Sequence, residues 1–463
     1  MRSRKILLLL GILTAGAAIE GAWHVRDHIA FGPTGWRVLS GSFHGPSHVF
    51  ETSTRHTLEP NQSLRIENSF GDVRVFAGQP GEIRVLHRKR VYDPDKQRGA
   101  EFAERVKLTW NDRADALELQ TNREQLDQEG QNTGWASHLE VAVPRDTAVE
   151  IVNEHGGVDV ADVARLSAST SYAPLGVTRI SGAAELRVRH GPVQATGIHG
   201  PLRVSARHGA VQLEDVSGAI DAEVQHGGVR ATRVDTLKLQ MRDGELTAES
   251  VAGDLEVRGS RAGVMARGVG GETTIRTSHR GVELREAQGS AHVKLQHGAL
   301  IVQTLRGSLT ADVSHGDIDI EAVTGNVSLK VTKGAMNGRE LGAAVQVEGT
   351  VREVTLAAFH GPLVLKAHEA NVELAPALPF TQDISVETQR GNIRLAIPEG
   401  VPFDVIAEAA AGRIELDVAD EYDALQTSKH KVAGRVGADG PHIRLHSGRG
   451  DVYVVMDGHR REE

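Results

Sequence analysis

Glycine returns in this chain at a fixed interval, and that interval constrains the fold more than any other feature. Starting from Leu202, equivalent positions follow at Ile220, Leu237, Leu255, Thr273, Ala291, Leu309, Val327, Val345 and Leu363, in steps of 18 residues with one of 17. With each start numbered zero, positions 0, 2, 4, 9, 11 and 14 are apolar in 55 of 60 cases, and the exceptions (Gly259, Thr273, Thr277, Gly338, Gly349) are uncharged. Positions 1, 3, 10 and 12 are apolar in only 5 of 40 cases. This period-two alternation predicts two strands per unit, each with one buried face. Glycine occupies position 7 at Gly209, Gly227, Gly244, Gly298 and Gly316, and position 16 at Gly218, Gly253, Gly289, Gly307 and Gly325. Corners belong there, because left-handed backbone angles cost glycine least. The register runs back through Ala184, Leu166 and Val149, and recurs with looser spacing at Leu64, Ile384, Val405 and Ile443.

An 18-residue unit cannot bury its apolar face alone, whereas stacked units share one continuous core. The expected fold is therefore all-β: a single-stranded β-solenoid, right-handed by preference, with a small β-rich N-terminal cap. Thirteen coils from Val149 onward, at about 4.8 Å each, would span about 60 Å. A left-handed hexapeptide helix is rejected, since in the ten units from Leu202 position 6 is His or charged everywhere but at Val351 and position 12 is mostly charged. The calcium-binding nonapeptide roll needs Gly-Gly-x-Gly-x-Asp corners, and Asp243 and Asp317 stand isolated.

Around this block the chain divides into an N-terminal targeting segment (1–23), a linker (24–47), the cap region (48–148), the regular solenoid (149–380), irregular C-terminal coils (381–456) and a polar tail (457–463). Arg2, Arg4 and Lys5 followed by an apolar run to Ile19 have the layout of an export signal. A cleaved signal and a retained membrane anchor both fit. In the cap, Asp93-Pro94 is expected to open a helix reaching Val106, and Arg88-Lys89-Arg90 reads as a solvated strand end. With no Cys in the chain, disulfides, a lipoprotein anchor and thiolate metal sites are excluded. A net charge of −9 argues against general nucleic-acid binding.

The most prominent polar feature is a column of histidines at position 6: His190, His208 and His226, then His279, His297 and His315, with His155 in the equivalent place upstream. Imidazole is a common metal ligand and a proton switch near neutral pH, so a metal site and a pH-sensitive edge are both readings. The interruptions at Asp243, Arg261 and Lys333 favour a third, a preference for His before a corner glycine. Accordingly no metal or other cofactor is expected. Asp317, Asp319 and Glu321 share one outward strand face, but neighbouring coils add no acids beside them, so no carboxylate cleft for glycan cleavage is expected. Exposed aromatics of the kind lectins use are nearly absent.

The segments Leu64–Val75, Leu139–Pro144 and Ala396–Val405, with the repeated Gly-x-Val corners, resemble the bacterial putative-adhesin family of β-strand-repeat proteins, a domain of unknown function. The resemblance covers residues 50–456 and implies an exported or membrane-anchored cell-envelope protein with no catalytic residues to carry over. The expected function is non-enzymatic: an adhesin, or a binding or scaffold protein. Its partners would be an envelope protein or surface ligand, and the membrane through the N-terminal segment. The alternatives are a self-assembling polymer like the bactofilins, and a polysaccharide-active β-helix enzyme.

Overall fold

The computed structural model describes residues 45–59, 62–129, 133–418 and 422–457. Within them the chain is almost entirely β and forms a β-solenoid of about 14 turns. The expected targeting segment, most of the linker and the tail beyond Asp457 lie outside the described residues. Among the described residues, no helix is long and apolar enough to cross a membrane.

Each repeat start identified by the alternation is the parallel register partner of the next, from Val149↔Leu166 through Leu202↔Ile220 and Ala291↔Leu309 to Val345↔Leu363. The second strands stack in the same way, as in Val193↔Val211 and Leu300↔Ile318. One hydrophobic core accordingly runs from Leu58 to Met456. Thr273 and Thr277 take buried places in it; the Thr277 hydroxyl donates to Ala262 O at 2.8 Å, while Thr273 Oγ1 has no partner.

The backbone explains why burial falls at positions 9, 11 and 14 rather than at 9, 11 and 13. Position 13 is left-handed in coil after coil, with φ between 53° and 61° at Asp162, Arg179, Asp215, Arg233, Ser250, Glu286, Thr304, Ala322, Glu340 and Ala358. The ladder skips this residue, passing from Thr178↔Thr196 to Ile180↔Ile198. One unpaired residue shifts the alternation by one, so position 14 turns inward. In the last regular coil the register shifts and Pro376 pairs with Phe359, so Pro376 is buried in place of Ala377.

The two glycine columns turn out to have different causes. At position 7 the left-handed explanation holds: Gly316, for example, has φ +157°, and a Cβ there would strike the backbone of Gly298 one coil back. At position 16 it does not, because Gly218, Gly253, Gly289, Gly307 and Gly325 have no positive φ. There the cause is close approach, since a Cβ on Gly307 would lie 2.5 Å from the carbonyl carbon of Gly289.

At both ends the coils stack out of chain order. The coil Ser63–Phe70/Val73–Ala77 lies between Ala148–His155/Val158–Val163 on one side and Ala116–Thr121/Gly134–Val143 on the other. The final coil, His442–Ser447/Val452–Asp457, is likewise inserted between Ile384–Arg390/Ile393–Pro398 and Phe403–Ala409/Ile414–Asp417. Antiparallel strands then close each end: Glu82–Tyr92 and His48–Thr57 at the first, and the hairpin Tyr422–Thr427/Lys431–Val436 at the second.

In the cap, the helix spans Lys96–Arg105 and its N-cap is Asp95, which accepts from Gln97 N at 2.8 Å. This is two residues later than expected: Asp93 instead accepts from Asp95 N, forming the turn that leads in. The Arg88-Lys89-Arg90 run is a correction too. It lies within Glu82–Tyr92 rather than at a solvated end, with Lys89 buried and donating to Ala103 O at 2.9 Å. Strand His48–Thr57 and helix Arg123–Gln128 carry no clear apolar period and were not anticipated.

Candidate functional site

Position 6 ends the first strand of its coil at Phe70, His155, His190, His208, His226, His297 and His315, and follows the strand by two residues at Tyr172 and His279, in each case at the corner. Coil-on-coil register places its side chains directly above one another, about one strand spacing apart. Planar rings there meet face to face. Phe70 stacks on His155 with centroids 4.4 Å apart, His155 on Tyr172 at 4.9 Å, and Tyr172 on His190 at 5.2 Å. His190 stacks on His208 at 4.8 Å and His208 on His226 at 5.0 Å, within 7° of parallel. The cap prolongs the ladder inward, because the Arg123 guanidinium lies 4.7 Å from the Phe70 ring and 3.9 Å from that of Trp135. Burial lowers the Arg123 pKa to about 10, so it stays cationic between two aromatic faces, a favourable arrangement.

At the other end His226 Nδ1 lies 3.3 Å from Asp243 Oδ2, and Asp243 pairs with Arg261. A second stack follows, with His279–His297 at 5.0 Å and His297–His315 at 4.8 Å. The sequence column is thus two stacks of three histidines, the first lengthened by Tyr172, His155 and Phe70. Alignment by repeat position already places Phe70 and Tyr172 in the column, but reading it for histidine alone passes over them.

Parallel stacking fixes what these rings can do. Ring nitrogens lie in the ring plane, so stacked imidazoles point their lone pairs side by side rather than at a common centre. Among the described residues, no group of three or more His, Asp or Glu side chains is placed to hold a metal ion. The ring edges instead face solvent in a row, with His190, His208 and His226 all exposed. The His208 pKa lies below the ordinary imidazole range, through desolvation first and then through the charges of His190, His226 and Arg207.

Two rows flank the first stack. Position 5 supplies Arg189, Arg207 and Gln225 beside the three histidines and Arg242 on the next coil, the three arginines all exposed. Position 8 supplies Pro192, Ala210 and Gly228, a low shelf beyond the glycine corner. Backbone groups at this corner are used between coils, with Gly191 N donating to His208 O at 2.9 Å and Gly209 N to His226 O at 3.1 Å.

The outward acids do not assemble into a comparable site. Asp317 Oδ1 accepts from Ala335 N at 2.9 Å and faces Arg352 at 3.2 Å, and Glu321 pairs with Arg339 at 2.7 Å. Both act as rungs between coils. Away from the His ladder, an open groove of about 640 Å³ runs along the opposite corner, where Glu150, Arg165, Glu185, Arg203 and Asp221 alternate in charge over a floor that includes Ala183 and Pro201.

No family model matches the chain, and no curated protein does. Among solved structures, a putative cell adhesion protein from Clostridium sporogenes aligns with 88% of this chain and 100% of its own, at 8% identity and a TM-score of 0.15. So low a score carries no argument about family or function.

Proposed function

We propose that this chain is a non-enzymatic, exported cell-envelope protein whose solenoid presents a long, regular β surface for binding or scaffolding. The observation that carries the reading is the stack itself: coil after coil in register, with short glycine corners and outward side chains arranged in straight rows. Such rows suit repeated, shallow contacts with an extended partner. The resemblance of Leu64–Val75, Leu139–Pro144 and Ala396–Val405 to the adhesin family, and the export-like start of the sequence, support the envelope assignment.

A self-assembling polymer is the second reading, and the ends weigh against it. Filaments that grow by stacking need open parallel edges, whereas here antiparallel strands cover Gly134–Val143 at one end and Phe403–Ala409 at the other. In-cell crosslinking of a tagged chain, followed by fractionation, tests the main reading. Crosslinked envelope components are expected; recovery of soluble cytoplasmic partners alone would overturn it.

A further inference from the structure

We infer that the edge formed by His190, His208 and His226 with Arg189, Arg207 and Arg242 is a binding ridge for a linear, carboxylate-bearing glycan. The inference deepens the envelope-binding reading and rests on it for the source of the ligand.

The ridge concentrates positive charge on a chain whose net charge is −9. Among the described residues no carboxylate pairs with Arg189, Arg207 or Arg242, although most arginines on neighbouring coils are paired, as in Arg179–Asp162, Arg187–Glu185, Arg233–Asp215 and Arg261–Asp243. Unpaired guanidinium groups in a row offer planar forks that match carboxylates. Arg189 and Arg207 lie on adjacent coils and Arg242 two coils further, across Gln225, so a ligand that satisfies several of them must extend along the stacking direction.

Other polyanions fit less well. An added peptide strand would need a continuous run of free backbone groups, and at this corner Gly191 N, Val193 N, Gly209 N and Val211 N already donate between coils. A membrane or a nucleic-acid duplex would also meet the acids that flank the line, Glu154, Glu223 and Glu245, all exposed. A narrow polymer lying between the arginine row and the Pro192, Ala210 and Gly228 shelf clears Glu223, and meets Glu154 and Glu245 only at the two ends, where they continue the arginine row and the shelf row. Sugar rings can rest on such a low shelf without an aromatic platform, since both faces of the exposed Tyr172 are covered by His155 and His190.

Protonation of the ladder adds to the attraction. His208 is flanked by His190, His226 and Arg207, and the acid beside the stack, Asp243, is shared among Arg261, His226 and the charge of Arg242. Charging the imidazoles therefore costs mutual repulsion in the free protein, and a bound carboxylate relieves it. Affinity should rise as pH falls through the imidazole range.

The test is titration of the full-length chain, in detergent, with polygalacturonate at pH 7.5 and 5.5. Its fully methyl-esterified form, polyphosphate and anionic phospholipid vesicles serve as comparisons. Binding to polygalacturonate that is about tenfold tighter at pH 5.5 is expected, with the esterified polymer inert. The pair Arg189→Ala and Arg207→Ala should cost about tenfold, as two exposed charge contacts would, and His208→Gln should flatten the pH dependence. Both changes are at exposed positions, and an unchanged melting temperature confirms folding. Equal binding of the esterified polymer, preference for polyphosphate or vesicles, or indifference to the arginine changes would each overturn the inference. Failure of this titration with the chain fractionating in the envelope sinks the ridge alone; binding by a chain that fractionates in the cytoplasm sinks the envelope reading alone.

Discussion

Single positions in a stacked fold act through the coil above and the coil below. Thr273 occupies the place that Leu255 and Ala291 fill in adjacent coils, and it carries a hydroxyl with no partner there. Thr273→Val keeps the shape and removes the unpaired group, so it should stabilise the protein by about 1 kcal/mol, read as a higher melting temperature; a lower one would show that the hydroxyl is satisfied. Glycine changes should diverge by column and by cause. Gly316→Ala meets backbone and a positive φ together and should cost about 2 kcal/mol or more, whereas Ala322→Gly relieves a left-handed alanine and should be neutral or mildly stabilising. Equal effects in thermal melts would refute the distinction. The difference between the two sites is also a measure of what sequence can tell. At Gly209, Gly227, Gly244, Gly298 and Gly316, position 7 announces its corner through glycine because φ there lies between 132° and 157°, a region nearly closed to other residues, but position 13, at φ between 53° and 61°, lies in the αL region and holds Asp, Arg, Ser, Glu, Thr or Ala. Local backbone strain of that sort is tolerated because inter-coil register fixes it, and no residue type marks it. The histidine column was legible by count, yet its continuation from His155 onto Phe70 depends on the coil Ser63–Ala77 packing against Ala148–Val163, far from its place in the regular repeat.

The elements of the cap obey less regular rules. Its helix Lys96–Arg105 packs Phe102 and Ala103 into a satellite cluster with Val91, Leu126 and Trp135, and its start depends on the Asp95 side chain. Asp95→Ala should cost about 1 kcal/mol, seen as faster amide exchange over 96–105; unchanged exchange would show that packing alone holds the helix. Beneath it, strand Glu82–Tyr92 buries His87, whose Nε2 lies 2.7 Å from Ser137 Oγ. Burial, with help from Lys89 and His138, holds its pKa down to about 3. The unfolded chain, with an ordinary histidine near 6.5, takes up this proton first. Stability from His87 is therefore complete above about pH 6.5 and drains away as pH falls toward 3. His87→Gln should shallow the decline of melting temperature across that window, and parallel declines in the two proteins would exclude His87 as a source of acid sensitivity. The sequence showed strands here but not their partners, because antiparallel pairing to Gly134–Val143 is set by tertiary register and not by any repeat.

At the scale of the molecule, a solenoid's stability is close to a sum over neighbouring coils, which makes loss of a coil depend on where it sits. Residues 291–308 form one central unit, bordered by Thr273 on one side and Leu309 on the other. Deleting them brings Thr273 against Leu309 and Val282 against Ile318, in the register that Ala291 and Leu300 used. The shortened chain should fold, with a melting temperature within a few degrees of the parent. Deleting 442–457, about as many residues, removes a coil that two others need. It strips partners from Ile384–Arg390 and Ile393–Pro398 on one face and from Phe403–Ala409 and Ile414–Asp417 on the other. The bared parallel edge is a template for pairing between chains. This deletion should expose residues 403–417 to proteolysis and drive association, as light scattering would detect. If both deletions behaved alike, out-of-order threading would have no role in closing the stack. Threading of this kind joins strands that are distant in sequence: Ile384 pairs with Ile443 across the whole hairpin insertion. An 18-residue period, which is a rule about neighbours, holds no trace of it.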